Sequence, residues 1–367
     1  MSELVTTPRR SNDLRWQLLA TVSSATMLVI VAATQASAAD STEDRPTVWI
    51  ELGGHLERVD GQSAIFAPAF IGANAGAPAF AKGTPITAQA LPRYAKGFEG
   101  KISLQPTGSD WLMSAGVIYG RSNGKKRVQY QTPGKALPGY FAGNPFYDPA
   151  KNVAFTDTRS KDAEQHLIVD FKAGKDVGLG SSTLSLGVRF AQFTSDKTAS
   201  MRVRPDVHFS PYFGAKYMTT YGASGKSERS FTGIGPSISL DGSAKLGGDE
   251  RKSVTFDWGA SGALLFGRQK AAVSEAISQT EWHVVGLYHS NVVENRTIPH
   301  PARKNSKIVP NLGGFAGLSV RYTNAKVSFG YRADFYFGAM DTGIAQRHNS
   351  NVSFHGPFAK VSIGLGD

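Results

Sequence analysis

Two short segments hold residues that could do hydrolytic chemistry. His348 and Ser350, in His348-Asn349-Ser350-Asn351, are two positions apart, a spacing that puts both side chains on one face of a strand and lets an imidazole take a hydroxyl proton. Asp206 and His208, in Asp206-Val207-His208, share that spacing and could activate a water. Such work needs a third, orienting group, and both segments fall in polar stretches predicted as loops. The eight histidines are dispersed and cysteine is absent, so neither a helical His-x-x-x-His pair nor a thiolate set is offered to a metal. His283, His289 and His300 share one long connection without a ligand spacing. No glycine-rich phosphate loop stands between a strand and a helix. These residues predict a protein that is not an enzyme and holds no metal and no cofactor.

A second set is spread over apolar segments, one charge at a time. Glu51, Glu99, Lys101, Asp170, Lys172, Arg189, Asp257, Arg321, Lys326, Arg332, Asp334 and Lys360 each occupy the polar phase of an alternating stretch. If the apolar phase faces lipid, these side chains line an interior. They then either form a charged pore lining or pair with one another to fill a narrow barrel. The seven bases among them against five acids favour anions slightly. A third group, Arg121, Lys125, Lys126 and Arg127, lies just past one apolar segment, where lipopolysaccharide phosphates would be in reach.

The elements that must position these residues are strands. Arg9, Arg10 and Arg15, the apolar run 18–33 and Ala36-Ser37-Ala38 have the order of a secretory signal peptide over residues 1–38. The remaining 39–367 is then one exported domain. No later stretch approaches the roughly 18 apolar residues of a transmembrane helix. Ten segments alternate instead, near 47–57, 96–105, 110–122, 163–173, 181–194, 229–241, 251–268, 309–322, 325–338 and 354–366. In the seventh, Val254, Phe256, Trp258, Ala260, Leu264 and Phe266 share a face opposite Thr255, Asp257, Gly259 and Ser261. Gln279–Tyr288 alternates weakly; it is a hairpin inside a connection or an eleventh strand needing a twelfth.

Every second connection is short, and the others, 58–95, 123–162, 195–228, 269–308 and 339–353, are long. That asymmetry predicts an all-β, antiparallel up-and-down transmembrane β-barrel of ten strands (alternatively twelve), with tight turns on one side and long loops outside. The formal net charge of +11 could suit nucleic acid, but an exported protein meets outer-membrane lipid, lipopolysaccharide and small solutes instead.

Leu186-Gly187-Val188-Arg189-Phe190 resembles a strand of the Legionella-type major outer-membrane protein family. Gly233-Ile234-Gly235-Pro236 with Leu240-Asp241-Gly242, then Ala263-Leu264-Leu265-Phe266-Gly267, Gly330-Tyr331-Arg332 and Gly356-Pro357-Phe358 are similar to that family in the same order. The resemblance spans 186–358 and implies a pore-forming outer-membrane barrel. Such barrels usually end in an aromatic residue that the outer-membrane assembly machinery reads, whereas this chain ends in Asp367. Two enzyme resemblances are weaker. His348-Asn349-Ser350-Asn351 is similar to the motif of lipid A deacylases, but the Glu expected about a dozen residues on is replaced by Ser362. Asp206-Val207-His208 resembles half of an omptin-type protease site, without the second acidic pair. The expected function is passive diffusion of small solutes through a porin-like channel, with a non-conducting, surface-binding barrel as the alternative.

Overall fold

The computed structural model describes residues 47–61, 94–106, 109–132, 154–177, 182–204, 208–210, 215–249, 252–285, 288–322 and 324–365. The expected signal peptide, most of the first long connection, Asp206 and Asp367 lie outside the described residues.

The strands are β1 (Thr47–Gly61), β2 (Tyr94–Gln105), β3 (Trp111–Thr132), β4 (Ala154–Asp176), β5 (Ser182–Arg204), β6 (His208–Ser210), β7 (Ala215–Gly248), β8 (Lys252–Val285), β9 (Tyr288–Pro299), β10 (Arg303–Tyr322), β11 (Ala325–Asp341) and β12 (Asn349–Leu365). Antiparallel pairing runs β7-β5-β4-β3-β2-β1-β12-β11-β10-β8 and closes through β7–β8, giving a ten-stranded barrel. β1 meets β12 from Val48↔Leu365 to Gly61↔Val352, so first and last strands seal the wall. β6 and β9 are not wall strands of their own. β6 pairs with the outer end of β7, and β9 pairs with the outer end of β8 from Val285↔Tyr288 to Ser274↔Pro299. Of the stretch Gln279–Tyr288, Gln279–Val285 is therefore the end of β8 and Tyr288 the first residue of β9, and the wall has ten strands.

Alternation explains the wall. Leu52, Phe98, Met113, Leu186, Val188, Ile234, Leu264, Leu312 and Phe329 are large, apolar and exposed on the outer face. Their neighbours in sequence point inward. Only a sheet closed on itself leaves no backbone donor or acceptor unpaired in lipid. On the outer face the apolar band ends at a stepped row of polar residues: Arg58 on β1, then Lys96, Arg121 and Gln165 in register on β2, β3 and β4, then Gln192, Thr232 and Arg268 in register on β5, β7 and β8.

Beyond that row the strands continue and the phase of the alternation reverses. On β5, Leu184, Leu186 and Val188 face out, but from Ala191 upward the apolar residues Ala191, Phe193, Ala199, Met201 and Val203 are buried inside while Asp196 and Thr198 are exposed. β7 and β8 reverse likewise, and Met201, Val203, Tyr221, Ala223, Val273 and Ile277 form an interior apolar cluster above the membrane. The connections expected over 195–228 and 269–308 are thus largely strand, the described residues of 123–162 (123–132 and 154–162) are strand as well, and the fifth, expected over 339–353, shrinks to 342–348. Strand segmentation keyed to an outward apolar phase stops where water replaces lipid outside.

The reversal predicts opposite sensitivities along one face of β5. Leu186→Arg should cost about 2–4 kcal/mol in lipid vesicles, whereas Thr198→Arg, on the same face above the band, should stay within about 0.5 kcal/mol. Urea unfolding in vesicles measures both.

Candidate functional site

The inner face below the band's upper edge carries the charges. Eleven of the twelve predicted lining residues surround one cavity of about 320 Å³; the exception is Arg321, which lies on the inward phase but is exposed at the rim beside the tight β10–β11 turn. The cavity's charges are braced across the lumen. Arg189 donates through Nε and Nη2 to both Asp170 oxygens, each at 2.7 Å, and through Nη1 to Asn311 Oδ1 at 2.5 Å. Asp334 lies 3.8 Å from the same guanidinium. Lys172 sits 3.6 Å from Asp170 and donates to Ser239 Oγ at 3.3 Å. Lys326 reaches Asp257 at 2.6 Å, and Ser243 and Ser319 also donate to that carboxylate. Arg332 pairs with Glu99, while Lys360 and Lys101 hold Glu51 at 3.0 and 3.6 Å. Lys360 also lies over the Phe315 and Phe358 rings. With Arg321 outside and Asp241 added to the lining, the cavity holds six bases and six acids, so the excess positive charge expected to favour anions is absent there.

An apolar layer crosses the lumen above this chamber. Phe193, Phe231, Tyr336 and Phe354 meet there with Ile168, Leu265, Val309 and Met340, all buried. Phe193 on β5 and Phe354 on β12 belong to opposite sides of the ring, yet their centroids are 5.2 Å apart. Phe193 meets Tyr336 edge-on at 4.5 Å.

Higher still, the connection 342–348 folds into the mouth. The register shift between Tyr336 and Met340, with Gly338 at φ 66°, turns Ala339, Met340 and Asp341 inward together. A side chain at Gly338 would strain that bulge. Arg303 then donates to Asp341 Oδ2 at 2.8 Å and to the carbonyls of Ile344 and Gly343, each at 2.6 Å. Arg229 donates to the Thr342 carbonyl at 2.9 Å. Asp341 Oδ1 accepts the backbone N–H of Gly343 and of His348, both at 3.0 Å. Ile344 packs on the upper apolar cluster. Burial alone would raise Asp341, but Arg303 and the two backbone donors outweigh it and hold its carboxyl below the ordinary carboxylate value.

The remaining predicted residues are placed as follows. Arg121 is exposed in the row bordering the apolar band, directly opposite Lys96. Lys125 lies higher on the extension, Lys126 takes the inward phase, and Arg127 forms a two-bond pair with Asp157 at 2.9 and 2.9 Å. Hydrogen bonds from Arg127 and then Arg159 hold Asp157 at about 2. The four bases therefore do not form one headgroup patch, because β3 continues upward instead of ending there. A patch outside the predicted set is formed by Arg268, Lys270 and Lys304, with Lys270 directly opposite Lys304. The exposed His348 belongs to the inserted connection, and Ser350 Oγ is 3.4 Å from the Asn351 carbonyl. His55, Glu57 and His166 converge inside the barrel.

A family model described as Legionella pneumophila major outer membrane protein precursor matches residues 119–364, from β3 to the last strand. The chain belongs to this family. The family match covers the wall from β3 to β12 and both resemblance motifs that supply lumen arginines, Arg189 and Arg332, and it makes the protein an outer-membrane β-barrel. No curated protein matches the chain. Similar solved structures include the translocator domain of the autotransporter NalP from Neisseria meningitidis, at 9% identity over 95% of this chain and 97% of that one, TM-score 0.23. The transport unit of the autotransporter AIDA-I from Escherichia coli has 9% identity over 91% and 96%, TM-score 0.23. The Pseudomonas putida toluene transporter TodX has 10% identity over 88% and 90%, TM-score 0.20.

The lumen pairs make a clear prediction. Arg189→Met alone takes from Asp170 its two-bond partner, leaving only the longer Lys172 contact, and should destabilise by about 3–5 kcal/mol, whereas Arg189→Met with Asp170→Leu should recover most of that loss. Unfolding of the three proteins in vesicles compares them.

Proposed function

We propose that this family member is a porin-like barrel of restricted conductance, in which small solutes cross passively by way of the charged chamber when the apolar layer and the inserted connection part. The observation that carries this reading is the latch. The segment 342–348 lies in the mouth but is held largely by polar bonds from two wall arginines, so its displacement need not unfold the wall. A non-conducting barrel is the second reading, favoured by the mutual pairing of the chamber's charges and by the Phe193–Phe354 contact across the ring.

Planar bilayers separate the two. Wild-type protein should give small, infrequent conductance steps, and Arg303→Ala with Arg229→Ala should raise their frequency about tenfold, the effect of some 1.4 kcal/mol on a closed–open balance. Acid should act in the same direction. Because the folded value of Asp341 is depressed, its contribution to the closed mouth is complete above the ordinary carboxylate value and is lost as pH falls through the folded one. Silence in wild type and variant, at neutral and acid pH, would leave the non-conducting reading.

We also propose that the outer cations bind lipopolysaccharide phosphate. Lys96 faces Arg121 and Lys270 faces Lys304 across neighbouring strands just above the apolar band. Like charges directly opposite each other repel, and a bridging phosphate would relieve both pairs. Lys270→Ser with Lys304→Ser should weaken binding to lipopolysaccharide-containing vesicles severalfold and leave binding to zwitterionic vesicles unchanged. Equal losses in both would count against a phosphate contact.

A further inference from the structure

We infer that His55, Glu57 and His166 form a binding site for a divalent transition-metal ion of the zinc type on the inner wall of the barrel. The site is independent of whether solutes pass.

The sheet itself builds the cradle. His55, Gly97, Gly120 and His166 occupy one transverse row across β1, β2, β3 and β4, each in register with the next. The two middle positions are glycine, and the imidazoles lie over them from either side. A Cβ on Gly97 would stand 1.9 Å from His55 Nε2, and one on Gly120 would stand 2.3 Å from His166 Cε1. The space between the histidines therefore exists only because neither inner strand has a side chain there. The two rings face each other with centroids 6.2 Å apart and planes 24° apart. Glu57, the next inward position along β1, puts Oε2 3.0 Å from His166 Nε2 and 3.5 Å from His55 Nε2.

The candidate ligand atoms all lie within 4.8 Å of one another. Ligands bound to a tetrahedral zinc ion at about 2.1 Å lie roughly 3.4 Å from each other, so these separations need little adjustment. Two imidazoles and one carboxylate suit a borderline cation such as zinc better than calcium or magnesium, which prefer oxygen. Three protein ligands leave a fourth position for water or an anion.

The second, independent observation is the state of the polar atoms. His55, Glu57 and His166 are 5%, 1% and 1% exposed. Even so, His55 Nδ1 and Nε2, His166 Nε2 and Glu57 Oε2 have no hydrogen-bond partner. Although 3.0 Å separates His166 Nε2 from Glu57 Oε2, the pair lacks hydrogen-bond geometry. Buried polar atoms without partners are costly. One cation between them would satisfy three at once. Phe354, with its ring 4.1 Å from that of His166, covers the site with apolar surface. A bound ion would tie β1 to β4 beside the aromatic layer and stiffen the wall there.

The test uses the folded barrel in detergent, stripped with a chelator and titrated with Zn²⁺ and, separately, with Co²⁺. One ion per chain should bind, Co²⁺ should develop the visible absorption of a tetrahedral site, and Zn²⁺ should raise the unfolding temperature. Glu57→Gln and His166→Gln should abolish stoichiometric binding. Gly120→Ala, which keeps every ligand but fills the cradle, should weaken it at least tenfold. Folding of each variant is checked by circular dichroism and by the mobility of unboiled samples. Should the variants not fold, X-ray absorption of Zn²⁺-loaded wild type decides, with two imidazoles expected around the ion. A wild-type barrel that binds no stoichiometric ion, a different ligand set, or undiminished binding in the folded variants would overturn the site and leave a buried histidine–carboxylate pair.

Discussion

Lipid offers the peptide backbone no hydrogen-bond partner, and closure of the strand ladder follows from that alone. β1 must find β12 across the whole sequence, and the pairing from Val48↔Leu365 to Gly61↔Val352 leaves no open edge among the described strands of the wall. Closing at ten strands has a second consequence. The interior is narrow enough that side chains from opposite walls touch, as Phe193 and Phe354 do. Charges placed inside so small a space cannot stay separately hydrated. They pair, and the bidentate Arg189–Asp170 bridge and the Lys326–Asp257 contact are the outcome.

The same strands serve two solvents. In the membrane the outer face is apolar and the inner face polar; above it the inner face is apolar and the outer face polar. One residue separates the two regimes on β5, where Phe190 is on the outer face and Ala191 is fully buried within. The aromatic layer sits at this change of phase, between the paired charges below and the cluster around Met201 and Tyr221 above. The barrel is therefore constricted at the level where its inward residues switch from polar to apolar.

The arginines divide into two groups by height. Arg189 and Arg332 brace the chamber against carboxylates of the wall. Arg303 and Arg229 donate to carbonyls of the connection 342–348, whose backbone, folded into the mouth, has no strand partner of its own, and Arg303 also holds the Asp341 carboxylate at its edge. The guanidinium's several donors suit both tasks, satisfying a carboxylate with two bonds or two successive carbonyls at once.

Much of this was legible from sequence. Period-two alternation located ten wall strands, and Glu51, Asp257 and Arg332 could be assigned to the interior because parity in a strand dictates side. The family resemblance at Leu186–Phe190 marked a strand that carries a lumen arginine. Alternation could not say that Asp196–Arg204 and Ala272–Val285 continue as strand, since their apolar residues keep the period but change face. Nor could it place Arg127 beside Asp157 or Lys270 beside Lys304, because register between strands depends on how the hairpins pair. His55 and His166 stand in distant parts of the chain, joined only through a row of two glycines across four strands. Along each regular strand, sequence determined which side of the wall a residue faces, because that depends on neighbours one bond away; the bulge at Gly338, which turns Ala339, Met340 and Asp341 inward together, is the exception. Which residues share a level was decided by closure, because register is a property of strand pairs and exists only once the barrel has formed.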